Sequence, residues 1–110
     1  MKKIIKIKRA TTEGLKDAKG ELIEYDGLQF CFTKIPDGLY FLIELSSGGN
    51  AATVDSERYS KRFALKLIMH ELSKKSKREI EKAISEFVKI NKKQYGISFP
   101  VNAPVDNCNI

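Results

Sequence analysis

The sequence predicts an α+β domain, an antiparallel β-meander of four to five strands packed against two C-terminal α-helices. Three observations carry this reading. Turn signals at Asp26-Gly27, Pro36-Asp37-Gly38 and Ser46–Asn50 follow one another too closely for helical crossovers, so the strands between them run antiparallel. Two stretches of helical periodicity then fill residues 56–95. Charge divides at the same boundary: residues 10–55 hold three cations against eight anions, whereas residues 56–95 hold twelve against five. Residues 1–9 add five cations and no anion, and the whole chain carries a formal charge of +6.

Taken in order, residues 2–8 read as a strand with Lys3, Ile5 and Ile7 on one face and Lys2, Ile4, Lys6 and Lys8 on the other. So many lysines suit a sheet edge, where they discourage edge-to-edge association. Residues 10–20 are polar with two glycines and read as a mobile loop or wide hairpin. Glu21–Tyr25 and Leu28–Lys34 flank Asp26-Gly27, which suits a two-residue type I′ turn because both positions need positive φ. Pro36-Asp37-Gly38 turns the chain into Leu39–Ser46, with Leu39, Phe41, Ile43 and Leu45 opposite Tyr40, Leu42 and Glu44. Ser46–Asn50 turns it again into Ala51–Val54.

The first helix is expected over Ser56–Lys74, capped by Asp55 or Ser56. Ala64, Leu65, Leu67, Ile68, Met69 and Leu72 give it the wide apolar arc of a helix lying across a sheet. Ser76-Lys77-Arg78-Glu79 is a capping box opening a second helix over residues 77–94, with Gly96 as its stop. Its apolar stripe is narrow: Ile80, Ala83, Ile84, Phe87, Val88 and Asn91. Ile97, Phe99 and Val101 alternate and predict a last short strand, followed by a fraying tail.

The 110 residues suffice for one domain spanning 1–110 with its own core. Charge interrupts Ile4–Lys8 before any signal-peptide apolar run forms, and no stretch is apolar enough to span a membrane. Two cysteines make no disulfide framework, and Cys108 does not fit a prenylation box. Cys31, inside Leu28–Phe32, reads as a buried inert thiol, so a reducing, cytoplasmic setting is expected.

No catalytic, metal or nucleotide motif stands out, and neither an enzyme nor a cofactor is expected. His70 is the single histidine, and no serine, cysteine or carboxylate is spaced to make a catalytic set with it. Gly48-Gly49 lacks the Gly-Lys-Ser/Thr that a phosphate loop requires downstream. Asp26, Asp37 and Asp55 are explained by turns and caps.

The positive signal is basic. Arg58, Arg62 and Lys66 recur every four residues, with Lys61 and His70 on the same polar sector and Tyr59 and Phe63 at its border. Lys74, Lys75, Lys77 and Arg78 extend the strip to the helix junction. Cations neutralise phosphates while aromatic rings stack on unpaired bases or anchor a protein contact. The competing explanation is a solvated face whose C-terminal cations complement the helix dipole.

Two partner classes follow: nucleic acid or a ribonucleoprotein, or an acidic protein. Neither the aromatic–glycine signature of an RNA-recognition sheet nor a GxxG loop is present, so nucleic-acid contact should be independent of sequence. The layout of a lone small domain, an aromatic meander, terminal helices and no catalytic set resembles that of accessory proteins from phages and mobile elements. Among these are inhibitors of host defence nuclease complexes, and the resemblance implies a protein partner. An open sheet also leaves edges that a homodimer would cover.

Overall fold

A computed structural model describes residues 3–105. Lys2 and Cys108, with any disulfide that Cys108 makes, lie outside the described residues. Five strands form one antiparallel sheet in chain order: β1 (Ile4–Thr11), β2 (Gly14–Tyr25), β3 (Leu28–Ile35), β4 (Leu39–Glu44) and β5 (Asn50–Asp55). Two helices follow, α1 (Lys61–Ser73) and α2 (Lys77–Tyr95). The α+β meander with two C-terminal helices is therefore the architecture of the chain.

The local signals operate as expected. Asp26 (φ 54°) and Gly27 (φ 80°) both sit at positive φ, as a type I′ hairpin demands. Ser76 and Glu79 satisfy each other's backbone N–H groups, and Gly96 closes α2 in the left-handed conformation.

The sheet has two apolar faces. Phe30, Phe32, Tyr40 and Leu42 meet Ala64, Ile68, Leu72 and Ile80 beneath the helices. On the other face Ile5, Ile7, Leu22, Cys31, Ile43 and Leu45 form a second cluster, with Ala18, Phe41 and Val105 against it. Contact between β1 and β4, three positions apart in the sheet, requires strong coiling. The coil is fixed where Ala10 N–H donates to Gly48 O, at 2.8 Å, so the outer edge of β1 meets the β4–β5 turn. Gly20 permits the bend: a Cβ there would strike the carbonyl oxygen of Phe32 and come within 3.0 Å of Cys31 Sγ.

Four expectations need correction. Residues 10–20 are neither a loop nor a wide hairpin; they complete β1 and begin β2, paired from Ile4↔Glu21 to Thr11↔Gly14. Thr11 Oγ1 donates to Gly14 O (2.7 Å) and accepts from Glu13 N–H (3.1 Å), closing a tight connection that apolar periodicity cannot reveal. The first helix begins at Lys61, not Ser56. Asp55 accepts from Glu57 N–H in a local turn and Ser56 N–H bonds Gly38 O, so the chain enters the helix only at Ser60, whose Oγ accepts from Phe63 N–H.

No strand forms over 97–101. Pro100 has no N–H, Ile97 N–H is held by Asn91 O at the end of α2, and Val101 N–H bonds Ser46 O. The tail is anchored rather than frayed up to Val105. Asn102 Oδ1 accepts from Lys8 N–H while its Nδ2 donates to Lys8 O and Leu45 O, each at 2.8 Å. The Gln29 amide exchanges two hydrogen bonds with the Val105 backbone, at 2.7 and 2.8 Å.

Candidate nucleic-acid interface

The α1 helix positions the basic residues. Ala64, Ile68 and Leu72 fall on one side and are buried against the sheet, which turns Arg62, Lys66 and His70 to solvent at the same 100° spacing. Lys61 and Arg62 occupy the first turn, which carries no acidic residue. That turn holds the positive end of the helix dipole, so cations there oppose helix stability. Dipole complementarity explains His70 and Lys74 at the other end and leaves Lys61 and Arg62 unexplained.

Phe63 is 46% exposed beside them. Its ring lies 5.4 Å from that of Tyr59, tilted by 52°. Tyr59 is half-buried against the helix–sheet core, so it supports Phe63 rather than offering a free stacking face. With α1 beginning at Lys61, Arg58 and Tyr59 lie in the preceding turn and Arg58 drops out of the helical stripe.

The second group sits at the α1–α2 junction, about 20 Å along the helix axis from Lys61 but only about 6 Å beyond His70, taking 1.5 Å per residue. Lys74 caps α1 and pairs with Glu71 at 3.1 Å. The Nζ of Lys77 lies at the Asp26-Gly27 turn, 3.3 Å from where a Gly27 Cβ would stand. Lys75 borders a cavity of about 200 Å³ between α2 and the sheet, whose apolar wall includes Phe30, Leu72, Ile80 and Phe87. Arg78 is exposed in the first turn of α2. The structure thus strings Lys61, Arg62, Lys66 and His70 along one exposed side of α1 with Phe63 near its start, and leaves Lys75, Lys77 and Arg78 beyond the helix end. Among the described residues Arg58, Lys61, Arg62 and Lys66 make no ion pair.

Other candidate chemistry is dispersed. Cys31 is fully buried in the cluster opposite the helices, and His70 faces solvent on α1. Burial pushes the Cys31 thiol up to about 11, so it is held protonated. Glu44 is buried at 4% exposure, but its carboxylate accepts from Ser46 N–H and Ser47 N–H, both at 2.9 Å, and from Ser46 Oγ. It therefore shapes the β4–β5 turn. Gly48 takes φ 68° in that turn, and a Gly49 Cβ would meet the Phe87 ring at 2.7 Å. Among the described residues no three His, Cys, Asp or Glu side chains converge as metal ligands, and no helix is long and apolar enough to cross a membrane.

A groove of about 440 Å³ between β5 and α1 escaped the sequence reading. It is lined by residues 51–54 together with Leu67, Glu71 and Lys75 among others. Helical periodicity assigns Leu67 to the apolar arc but cannot say that its flank overhangs an open strand edge.

No protein-family model, curated protein or solved structure matches the chain.

Proposed function

We propose that this domain binds nucleic acid, alone or within a ribonucleoprotein, without turnover and through the basic face of α1. The observation that carries the reading is the first turn of α1. Lys61 and Arg62 stand at the helix end where the dipole disfavours cations, without an ion pair among the described residues and beside a 46% exposed Phe63. A bound phosphate would be attracted by these cations and by the free N–H groups of the same turn. Lys66 and His70 continue the track along the helix, and Phe63 supplies a ring on which an unpaired base can stack. Nothing in this arrangement reads base edges, so the contact is to backbone and stacked ring. The protonated, buried Cys31 suits a reducing cytoplasmic setting.

Fluorescence anisotropy of labelled RNA and DNA across a salt series tests the reading. Log affinity should fall linearly with log salt, by roughly 0.9 per phosphate contact on duplex DNA and roughly 0.7 on single strands. Charge reversal at Lys61, Arg62 and Lys66 should abolish binding and leave the fold intact. Phe63→Ala should weaken single strands by about tenfold and duplexes much less. Unchanged affinity in the charge-reversed protein would refute the proposal. Nuclease-resistant recovery of one acidic protein on the same face would support the accessory-protein reading instead.

A further inference from the structure

The two edges of the sheet are unlike. On the outer side of β1, Lys8 N–H and C=O are both held by Asn102, Ala10 N–H is held by Gly48, and Lys6 and Lys8 stand exposed. That edge is partly occupied and protected by charge. β5 has neither device. Asn50–Asp55 contains no lysine, arginine or proline, and its ladder and bulge run to β4 alone. Among the described residues no backbone group of another strand or loop reaches its outer side. Beside it lies the 440 Å³ groove under α1, whose apolar wall includes Leu67, Ile68 and Leu72.

We infer that β5 pairs with β5 of a second copy of this chain, joining two five-stranded sheets into one of ten strands. A head-to-tail contact of β5 with β1 would propagate into a filament, and the occupied, lysine-bearing β1 edge opposes it. An isologous contact closes on itself. Directly opposed residues in an antiparallel pair lie on the same face, and a two-fold axis normal to the sheet also preserves faces. The axis must therefore pass through a residue that meets its own copy.

Centring on Thr53 or on Ala52 gives a five-residue overlap free of opposed charge, and the Thr53 register is the one that leaves out Asn50, which lies beyond the register shift of the β4–β5 ladder. Thr53 then faces Thr53, Ala52 faces Val54 of the second copy, and Asp55, the sole charge on β5, faces Ala51. Ala52 and Val54 pack on the helix side in each chain, so the incoming pair enters the groove beside Leu67. The same axis runs the two α1 helices antiparallel on one side of the sheet. Both basic strips also come to the same side. That last consequence rests on the nucleic-acid reading; the dimer itself does not.

Light scattering after size exclusion, together with engineered cross-linking, tests the inference. The wild-type chain at about 100 μM should elute with the mass of two chains. Thr53→Lys should return the mass of one while preserving the circular dichroism spectrum. In a Cys108→Ser background, Thr53→Cys should form a disulfide-linked dimer on oxidation, and Lys6→Cys on the β1 edge should not. A one-chain mass for the wild type would overturn the inference. So would a dimer that Thr53→Lys leaves intact and Thr53→Cys does not lock. Loss of dimer with short-oligonucleotide binding retained would leave the two proposals separately judged.

Discussion

Removing the side-chain amide of Asn102 should open the coil of the sheet. Its Oδ1 and Nδ2 make three hydrogen bonds of 2.8 Å, two to Lys8 on β1 and one to Leu45 beyond β4. Each is worth about 1 kcal/mol net, so Asn102→Ala should cost about 2–3 kcal/mol. For 110 residues, an unfolding entropy of about 2.1 cal/mol/K per residue turns this into a fall of about 10 °C in Tm. Asn102→Asp keeps the acceptor for Lys8 N–H but turns an oxygen towards the carbonyls of Lys8 and Leu45. It should be no better than alanine at pH 7. Its penalty should shrink as pH falls, because the folded state then favours the protonated carboxyl, which regains one O–H donor. Thermal denaturation with hydrogen exchange at Lys8, Ala10 and Leu45 provides the assay. The variants should lose amide protection at Lys8 and Ala10 before the β3–β4 ladder loses any. A Tm shift below about 2 °C, or a Lys8 amide already unprotected in the wild type, would refute the idea that the tail latches the sheet.

Gly20→Ala should be at least as damaging, at about 3 kcal/mol or more by chemical denaturation, because the new methyl meets the Phe32 backbone and not a side chain that can turn aside. Cys31 should resist thiol reagents at pH 8 except through unfolding. Its thiol lies near 11 in the fold against an ordinary 9.0, so the fold favours the protonated form by about 2–3 kcal/mol. That contribution is full below pH 9 and lost as pH rises from 9 to 11. Cys31→Ala, although weaker at neutral pH, should lack this component of the alkaline loss when the two pH–stability curves are compared. Ser76→Ala should cost about 1 kcal/mol and raise amide exchange in the first turn of α2 while leaving that of α1 unchanged.

What could be read in advance was local. Asp26-Gly27, the Ser76–Glu79 box and Gly96 each prescribe a backbone geometry from neighbouring residues alone, and each takes it. The strands β3 and β4 were legible as apolar runs because both faces of the sheet are covered there. The start of α1 was not. Asp55, Ser56 and Ser60 are all acceptable caps, and the choice is made by a bond from Ser56 N–H to Gly38 O, in a turn well upstream of α1's own periodicity. The hairpin tip around Gly14 carried no apolar alternation because it projects into solvent, with Leu15 47% exposed and ion pairs Lys8–Asp17 and Glu13–Lys16 along it. Asn102 and Gly20 act only through partners distant in sequence. For the interface, residue types and helical spacing were legible, whereas the loss of Arg58 from the stripe followed directly from the misplaced helix start.

The charge division along the chain acquires a physical meaning once these contacts are known. Much of the acidity of the meander is used internally. Glu44 braces the β4–β5 turn, Asp55 holds the turn before α1, Asp26 occupies a left-handed turn position, and Asp17 and Glu13 pair along the first hairpin. The basic excess of residues 56–95 has few such uses. Lys74 pairs with Glu71, and the cations of the first turn of α1 answer neither to the dipole nor to any carboxylate among the described residues. Intramolecular needs therefore account for the anions far better than for the cations. A domain selected for stability alone would place Asp or Glu at Lys61 and Arg62, and Lys61→Glu with Arg62→Asp should raise stability by about 1 kcal/mol. A gain in Tm accompanied by loss of anion-dependent binding would show that these cations serve a partner, whereas a gain with binding retained would return them to the solvated face.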